Sequence, residues 1–514
     1  MIKKNAFLII VLMAVLIGSH LNPSRASADT PTGTIKGIFH HNVSADWFDP
    51  SVTFSGIANY CVLYLYHDAL LKPMAGNLYA PCLAESWNVS RDARVYEFKL
   101  RKGVKFQNGD EMTAEDVVFT FRRYKGGAAK IFHDRIEKLE AVNPHLFRIT
   151  LKKPFPDFLE YLLPGASTIA WIVPKKYIEK VGDAEYKRNP IGCGPYKFVE
   201  AKPGIRFVGE AFPGFWRKVP KVARLEIYTV PEIATRYAMV KKGEVDFALL
   251  IDDIFYEKVK TDPTLRILTG PSPTIWTAYI ASQWDAKSPW SDPRVRKAAS
   301  LAIDRKTVVS IHAPGGKPAD SIGLPGDPEL IRFPVDPYDP EQAKKLLAEA
   351  GYPNGFDGGK FYPYGGPILP MGQTIANYWK RVGINLDTII LDSSSWLAHR
   401  RGGKMKGAII IDPIQPPTIS SRLAYLFGPQ GSYGNYPDIQ SSWDQYNQSI
   451  DPGTRKGLLA KIQRQIHDRT MFIPVLQFTV PAAVGPRIKG NFFKIEEPFP
   501  LWWPCPWEEI ELNG

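Results

Sequence analysis

Apolar positions along the chain recur with two distinct periods. Alternation with β-branched and aromatic residues marks Val95-Tyr96-Glu97-Phe98-Lys99-Leu100, Leu146-Phe147-Arg148-Ile149-Thr150-Leu151 and Leu225-Glu226-Ile227-Tyr228-Thr229-Val230 as strands. Ala408-Ile409-Ile410-Ile411 is apolar throughout, the pattern of a strand covered on both faces. Helical spacing is bounded by its own end signals. Asp339 suits an N-cap and Pro340 the first helical position; Leu346, Leu347 and Ala350 share a face, and Gly351 fits the left-handed residue past the end. Asp292-Pro293 opens a second helix through Val295, Ala298, Ala299, Ala302 and Ile303. Thr113 opens a third, with Glu115 and Asp116 in its positive first turn. Strands and helices alternate without an internal repeat or heptad run, which predicts an α/β or α+β architecture.

The first residues break this pattern. Lys3 and Lys4 precede an apolar run from Ala6 to Ile17, and Ala26-Ser27-Ala28 supplies the small residues of a cleavage site. The run is too short for a permanent membrane span, so residues 1–28 read as a cleaved secretory signal. No cysteine lies near the cut, so the exported protein is expected to be periplasmic and not a lipoprotein. Of 514 residues, 486 remain, and the formal charge falls from +12 to +9 with the loss of Lys3, Lys4 and Arg25. That charge is scattered in pairs such as Arg122-Arg123 and Arg400-Arg401, which argues against a nucleic-acid partner. Four cysteines in an exported chain allow three pairings. Cys61 with Cys82, leaving Cys193 with Cys505, is one arrangement; buried free thiols are the alternative.

Catalytic constellations are missing. There is no G-x-S-x-G elbow, no H-E-x-x-H helix and no complete phosphate loop. Gly315-Gly316-Lys317 runs into Pro318, and Gly192-Cys193-Gly194 into Pro195-Tyr196; both read as turns. His40 and His41 on a strand point to opposite faces, and the other histidines lack ligand spacing, so neither a metal nor a cofactor is expected.

Four stretches follow in a fixed order along the chain. The first is Leu83-Ala84-Glu85-Ser86-Trp87 with Tyr96 to Phe106, Asn108-Gly109-Asp110 and Thr113 to Val117. The second is Asn189-Pro190-Ile191-Gly192-Cys193-Gly194-Pro195-Tyr196, with Gly243-Glu244-Val245-Asp246 later. The third is Asp292-Pro293-Arg294-Val295-Arg296-Lys297-Ala298 continuing to Ala302-Ile303-Asp304-Arg305, and the fourth runs from Asp339 to Tyr352. Together they resemble the solute-binding proteins of peptide, opine and nickel ABC importers, the family 5 extracytoplasmic binding proteins. The resemblance implies a two-lobed type II periplasmic binding protein fold with an extra domain in the first lobe. Residues 29–60, 186–272 and 486–514 would form a discontinuous domain I, residues 61–185 the extra domain II, and residues 273–485 domain III, the second lobe. The Gly-Pro pairs at 270–271 and 485–486 would mark the hinge crossings. The motifs themselves read as scaffold; Trp87 is expected to pack against the first lobe.

By the same resemblance, the ligand cleft is lined by the turn after the first strand, the stretch past the hinge, the loop near residue 396, and the segment after the Ala408–Ile411 strand. Candidate contacts are His41, Trp47, Trp276, Tyr279, Trp284 and Trp396, whose flat rings can hold a ligand at little entropic cost. Asp412 stands where peptide-binding relatives pair an aspartate with the ligand's amino group. Ala408-Ile409 replaces their Gly-Trp, Ala281-Ser282 a frequent asparagine and Cys193 a common threonine, departures from an ordinary peptide binder. The implied function is the substrate-binding subunit of an ABC importer. A monomer would capture a peptide-like or other small or medium solute by hinge closure and deliver it to permease and ATPase subunits. The alternatives are an exported hydrolase of peptides or sugars, or the same scaffold holding an oligosaccharide, opine or lipid-like molecule.

Overall fold

The computed structural model describes residues 30–53, 58, 62–74, 77–164, 167–251, 253–324, 327–364, 369–405, 408–414, 418–427, 434, 436–491 and 506–513. The proposed signal segment, Cys61 and Cys505 lie outside them. Among the described residues, no helix is long and apolar enough to cross a membrane.

Local signals set most elements. Val95–Leu100 and Leu146–Leu151 are strands that pair antiparallel, Val95 opposite Thr150, in a four-stranded sheet with Ala84–Val89 and Ile136–Asn143. Asp339 caps the helix Pro340–Glu349 by accepting from Gln342 N, and Gly351 follows at φ +96°. Asp292 caps Pro293–Leu301 through Arg294 N. That helix ends short of Ile303, because Asp304 already caps the next one, Arg305–His312, through Thr307 N. The Asp116 carboxylate reaches back to Thr113 N at 2.8 Å at the start of Ala114–Arg123.

A mixed sheet of eleven strands organises the rest. At its centre lie two long strands, Arg266–Ile280 and Phe472–Val484, antiparallel to each other. On one side follow Phe247–Leu249, Thr32–Phe39, Val222–Thr229, Arg206–Ala211 and Tyr196–Lys202; on the other Ala408–Ile414, Phe356–Tyr362 and Ile384–Thr388, while the two-residue Lys317–Pro318 pairs off this order with the second long strand. The long strands therefore run through both halves. Their pairing is interrupted between Pro271 and Ile275, opposite Thr479 and Gln477, where the chain passes from one half to the other. The second strand continues unbroken to Val484, so the Gly485-Pro486 pair ends it and lies beyond the interruption.

The recurring sequence motifs are spent on this frame. Gln107 donates from its amide to Tyr66 O, Gly194 O and Tyr196 O and accepts from Gly192 N, stitching three segments together. A Cβ on Gly194 would lie 2.6 Å from His67 N and Leu65 O, so only glycine permits that approach. Asp246 accepts from Lys36 N and Arg487, tying the first strand to the returning chain. Arg296, 1% exposed, donates to the carbonyls of Trp290, Ser291, Arg469 and Thr470. Trp87 is half-buried against the core of the four-stranded sheet.

The proposed disulfides are not formed at either described cysteine. Cys82 and Cys193 are both free and buried. The reason is a competing polar network: Cys82 Sγ donates to Asp68 Oδ1 at 2.9 Å, the same oxygen that takes Lys72 Nζ at 2.6 Å. Trp216 Nε1 donates to the other oxygen at 3.0 Å, and Arg217 pairs with the buried Glu508 close by. Burial pushes the Cys82 thiol up to about 12 and Cys193 well above its ordinary value, so both stay protonated and inert.

Candidate functional site

On the first half of the sheet, the strand Thr32–Phe39 ends one residue before His40. Its two-residue alternation stops there, and the imidazoles of His40 and His41 meet with centroids 3.9 Å apart at 46°. They do not point to opposite faces as a continued strand would require. Trp47, on the single turn Ala45–Phe48, lies 6.5 Å from the His41 ring. Burial lowers both histidines, His40 further through His41 and Arg236, and His41 to about 4 with Arg236 contributing. Both rings are therefore neutral near pH 7, able to donate and accept. His40 Nδ1 is buried without a partner, and among the described residues no third metal-ligating side chain joins the pair.

On the other half, the crossing strand brings Trp276 against Tyr364 at 5.4 Å, and Tyr364 touches Trp396 at 4.8 Å. The three rings form one aromatic row, but their polar atoms differ. Trp396 donates its Nε1 to Tyr362 O at 3.2 Å and is 1% exposed, so the interior accounts for it entirely. Trp276 Nε1 has no acceptor although the residue is only 5% exposed. Thr274, Thr277 and Ser282 hydroxyls are likewise buried and unpartnered, as is Trp284 Nε1. Trp284 is half-buried edge-on against Tyr436 at 5.0 Å. Tyr279 stacks on Phe472 at 5.1 Å beneath Arg400, within the cluster of Met405, Ile419 and Leu423. Packing explains that ring without a ligand.

Asp412 lies inside a strand and not after one. Ala408–Ile414 continues past Ile411 because its partner continues: Thr277 stands opposite Asp412, and Trp276 opposite Pro413. On the other side pairing stops at Ile410, which leaves Pro413 on a stretch paired on one side only, where a missing N–H is tolerated. The Asp412 side chain is outside what the structure describes.

One set of contacts had no sequence signal. Glu160, on the short helix Phe158–Tyr161, is buried against Ser420 and Thr418, and Asp157 pairs with Arg455. These join segments more than 250 residues apart. A separate narrow cavity, lined among others by Arg305, Asp336, Gln463 and His467, lies wholly within residues 297–474.

An α/β frame with two sheet halves joined by paired crossing strands, and unpartnered polar groups between aromatic rings, defines a two-lobed binding protein of the type II periplasmic class. Solved structures share this fold. The ABC transporter substrate binding protein CtaP of Listeria monocytogenes matches with a TM-score of 0.80 at 22% identity, covering 94% of this chain and 100% of its own. NikA of Brucella suis, solved with Fe(III)-EDTA, matches at 0.79 and 22%, with the same coverages. Among curated sequences, heme-binding protein A of Haemophilus influenzae is 28% identical over 95% of both chains. Glutathione-binding protein GsiB of Escherichia coli K12 is 33% identical over 53% of each. The family described as bacterial extracellular solute-binding proteins, family 5 Middle, matches residues 79–434, and the chain belongs to that family. Its members are binding proteins, not enzymes, and the chain is a substrate-binding protein of the ABC-importer type.

Proposed function

We propose that the chain is exported by removal of residues 1–28 and works in the periplasm as a monomer without a lipid anchor. It closes by hinge motion on a small peptide-like solute rich in amide or carboxylate oxygens. Domain I would comprise residues 29–60, 186–272 and 486–514, domain II residues 61–185, and domain III residues 273–485 apart from Val480–Val484, which pair within the first half of the sheet. The closed complex would then be presented to the permease and ATPase subunits with which this family works.

The observation that carries the ligand class is the run of unpartnered polar atoms on the strand crossing and just beyond it: Thr274, Trp276, Thr277, Ser282 and Trp284. A buried donor left unmade costs about 1–3 kcal/mol, so several in one segment call for a guest or solvent that supplies acceptors. Indole N–H groups only donate, hydroxyls donate readily, and the neutral His40–His41 pair can do either. Carbonyl and carboxylate oxygens answer all of them, and the indole faces suit the apolar part of such a solute. The names of the relatives, which include heme-, glutathione- and peptide-binding proteins, support this chemistry. Among the candidates, His41, Trp47, Trp276 and Trp284 keep the binding role. The amino-anchor role of Asp412 stays a proposal that Asp412→Asn tests directly.

The test is native mass spectrometry of the purified chain, followed by calorimetric titration with glutathione, hemin and the dipeptide Met-Leu. Stoichiometric retention of an amide- or carboxylate-bearing molecule, with a raised melting temperature, is the expected result. Cargo lacking such oxygens, or turnover of a peptide or sugar, would refute it.

A further inference from the structure

Glu160 joins two parts of the chain that the hinge reading assigns to opposite lobes. Its residue lies in 61–185; its partners lie in 273–485. Ser420 Oγ is 2.8 and 2.7 Å from the two carboxyl oxygens, and Thr418 Oγ1 is 2.5 Å from one of them. Beside it, Asp157 pairs with Arg455 and accepts from Tyr446 Oη at 3.2 Å, with the Arg455 guanidinium 3.8 Å over the Tyr446 ring. The two acids therefore meet the second lobe differently: Asp157 meets a cation, Glu160 only hydroxyls.

We propose that Glu160 is a pH-sensitive latch between the lobes, holding the closed form while its carboxyl carries a proton and releasing it on ionisation. This rests on the hinge reading, since only separation of the lobes would return the carboxyl to water. The titratable and charged groups around it come from its own helix and from each element packed on it. Asp157 precedes it and Tyr161 follows it, Tyr79 approaches from Asn77–Pro81, Asp327 and Glu329 from the segment before residue 331, Arg422 from Ile419–Phe427, and Tyr446 and Arg455 from Pro437–Gln448 and Pro452–Asp468. Of the two cations, Arg455 is engaged by Asp157, and Arg422 lies beside Asp327 and donates to Ile322 O. Among the described residues no base forms an ion pair with Glu160, and its nearest charged neighbours repel a second negative charge. A protonated carboxyl satisfies Ser420 and Thr418 by donating one hydrogen bond and accepting another; an ionised one is left buried without a counter-ion.

Burial and then Asp157 raise the closed-form carboxyl to about 8, the hydroxyls of Thr418 and Ser420 opposing, from an ordinary 4.5. The closed form thus binds the proton more tightly than the open form. The latch is fully present below the ordinary value, weakens as pH rises and is exhausted above the closed-form value. The closed-to-open ratio is expected to fall about tenfold or more between about pH 5 and pH 8.

Small-angle X-ray scattering of the ligand-free full chain reads this as an increase in radius of gyration with pH. Glu160→Gln, which keeps the hydrogen bonds without the titration, should stay compact at both pH values. Ser420→Trp, which wedges an indole into the buried contact regardless of charge, should be open at both, with circular dichroism reporting that each variant is folded. If the wild type does not expand, or Glu160→Gln expands like it, the latch is refuted. If folded Ser420→Trp is as compact at both pH values as the wild type is at about pH 5, the two segments do not separate, and the hinge reading fails and the latch with it. Should Ser420→Trp not fold, the near-isosteric Glu160→Gln decides the latch alone.

Discussion

Replacing Lys72 with Met removes the ammonium from a pair in which both side chains are almost wholly out of water, at 1% and 0% exposure. Met matches the length and volume of the lysine stem, so little packing is lost. What remains is an ionised Asp68 in the interior. Breaking a buried pair from one side costs about 3–5 kcal/mol because the surviving charge stays uncompensated. Asp68 keeps the indole N–H of Trp216, the thiol of Cys82 and the nearby charge of Arg217, so we expect the lower end, about 3 kcal/mol. The pH dependence distinguishes this from a packing defect. Burial raises the Asp68 carboxyl, but Lys72, Arg217 and the hydrogen bonds from Cys82 and Lys72 outweigh it and hold it below 3.8. Its contribution is therefore present above the ordinary carboxylate value and lost as pH falls through the folded-state value. In Lys72→Met the carboxyl rises, so the deficit relative to wild type should shrink on acidification from about pH 7 to pH 4 as Asp68 takes up a proton. Urea unfolding followed by tryptophan fluorescence measures the midpoint at each pH. Adding Asp68→Asn should recover part of the loss, since it removes the stranded charge. A loss below about 1 kcal/mol, or one that does not change with pH, would show that the pair is not the unit described here.

Gly194→Ala should be among the most damaging small substitutions, because its Cβ would meet backbone atoms of residues 65–67 at 2.6 Å and none of them can swing aside. A loss of at least about 3 kcal/mol, or failure to fold, is expected, against about 1 kcal/mol for the open left-handed Gly103→Ala; thermal unfolding compares them. His40, His41 and His67 are all lowered in the folded chain, His41 and His67 to about 4, mainly by burial. Their contribution is present above about pH 6.5 and lost as pH falls through the folded values, so His41→Gln should flatten the acid limb of stability by about one proton, read from the slope of unfolding free energy against pH. Trp276→Phe removes an indole N–H that has no internal partner. It should cost only what its small cavity costs, about 1–2 kcal/mol, while weakening retention of the co-purifying ligand about tenfold, whereas Trp396→Phe, which leaves a like cavity and also strands Tyr362 O, should cost more stability and leave retention unchanged; calorimetry and thermal unfolding separate the two.

What could be read in the sequence follows the range of the interactions. Asp339, Asp292 and Thr113 announce helices because a cap and its helix lie within four residues, and no distant contact overrides them. The strand through Asp412 was legible only to Ile411, since its last residues are held by Thr277 and Trp276 from a partner more than 130 positions away. His40 and His41 illustrate the same limit at shorter range. Alternation predicts where side chains point only while the strand lasts, and it stops at Phe39. Glu160 gave no signal at all: nothing around it distinguishes a surface acid from one buried by Ser420 and Thr418. The cysteines failed for a different reason, because sequence proximity suggested a partner for Cys82 whereas its thiol answers a carboxylate.

The motifs that reveal the family are silent about cargo, and their hydrogen bonds show why. Gln107, Asp246, Arg296 and Arg305 spend their polar atoms largely on main-chain groups of this chain, so they serve the frame and leave nothing with which to read a ligand. A ligand can be recognised only by polar capacity the fold leaves over. The tryptophans differ on this criterion. Trp290, Trp379 and Trp396 give their indole N–H to Gly358, Ala299 and Tyr362 carbonyls, while Trp276 and Trp284 hold theirs in reserve. Trp507 does so as well, but it sits 0% exposed against Phe39, directly before the His40–His41 pair. Aromatic content alone made all of the cleft candidates look alike in the sequence. Unspent polar capacity separates them, and on the function proposed above the recognition chemistry would lie at the strand crossing and at the end of the first strand, where regular pairing breaks or stops.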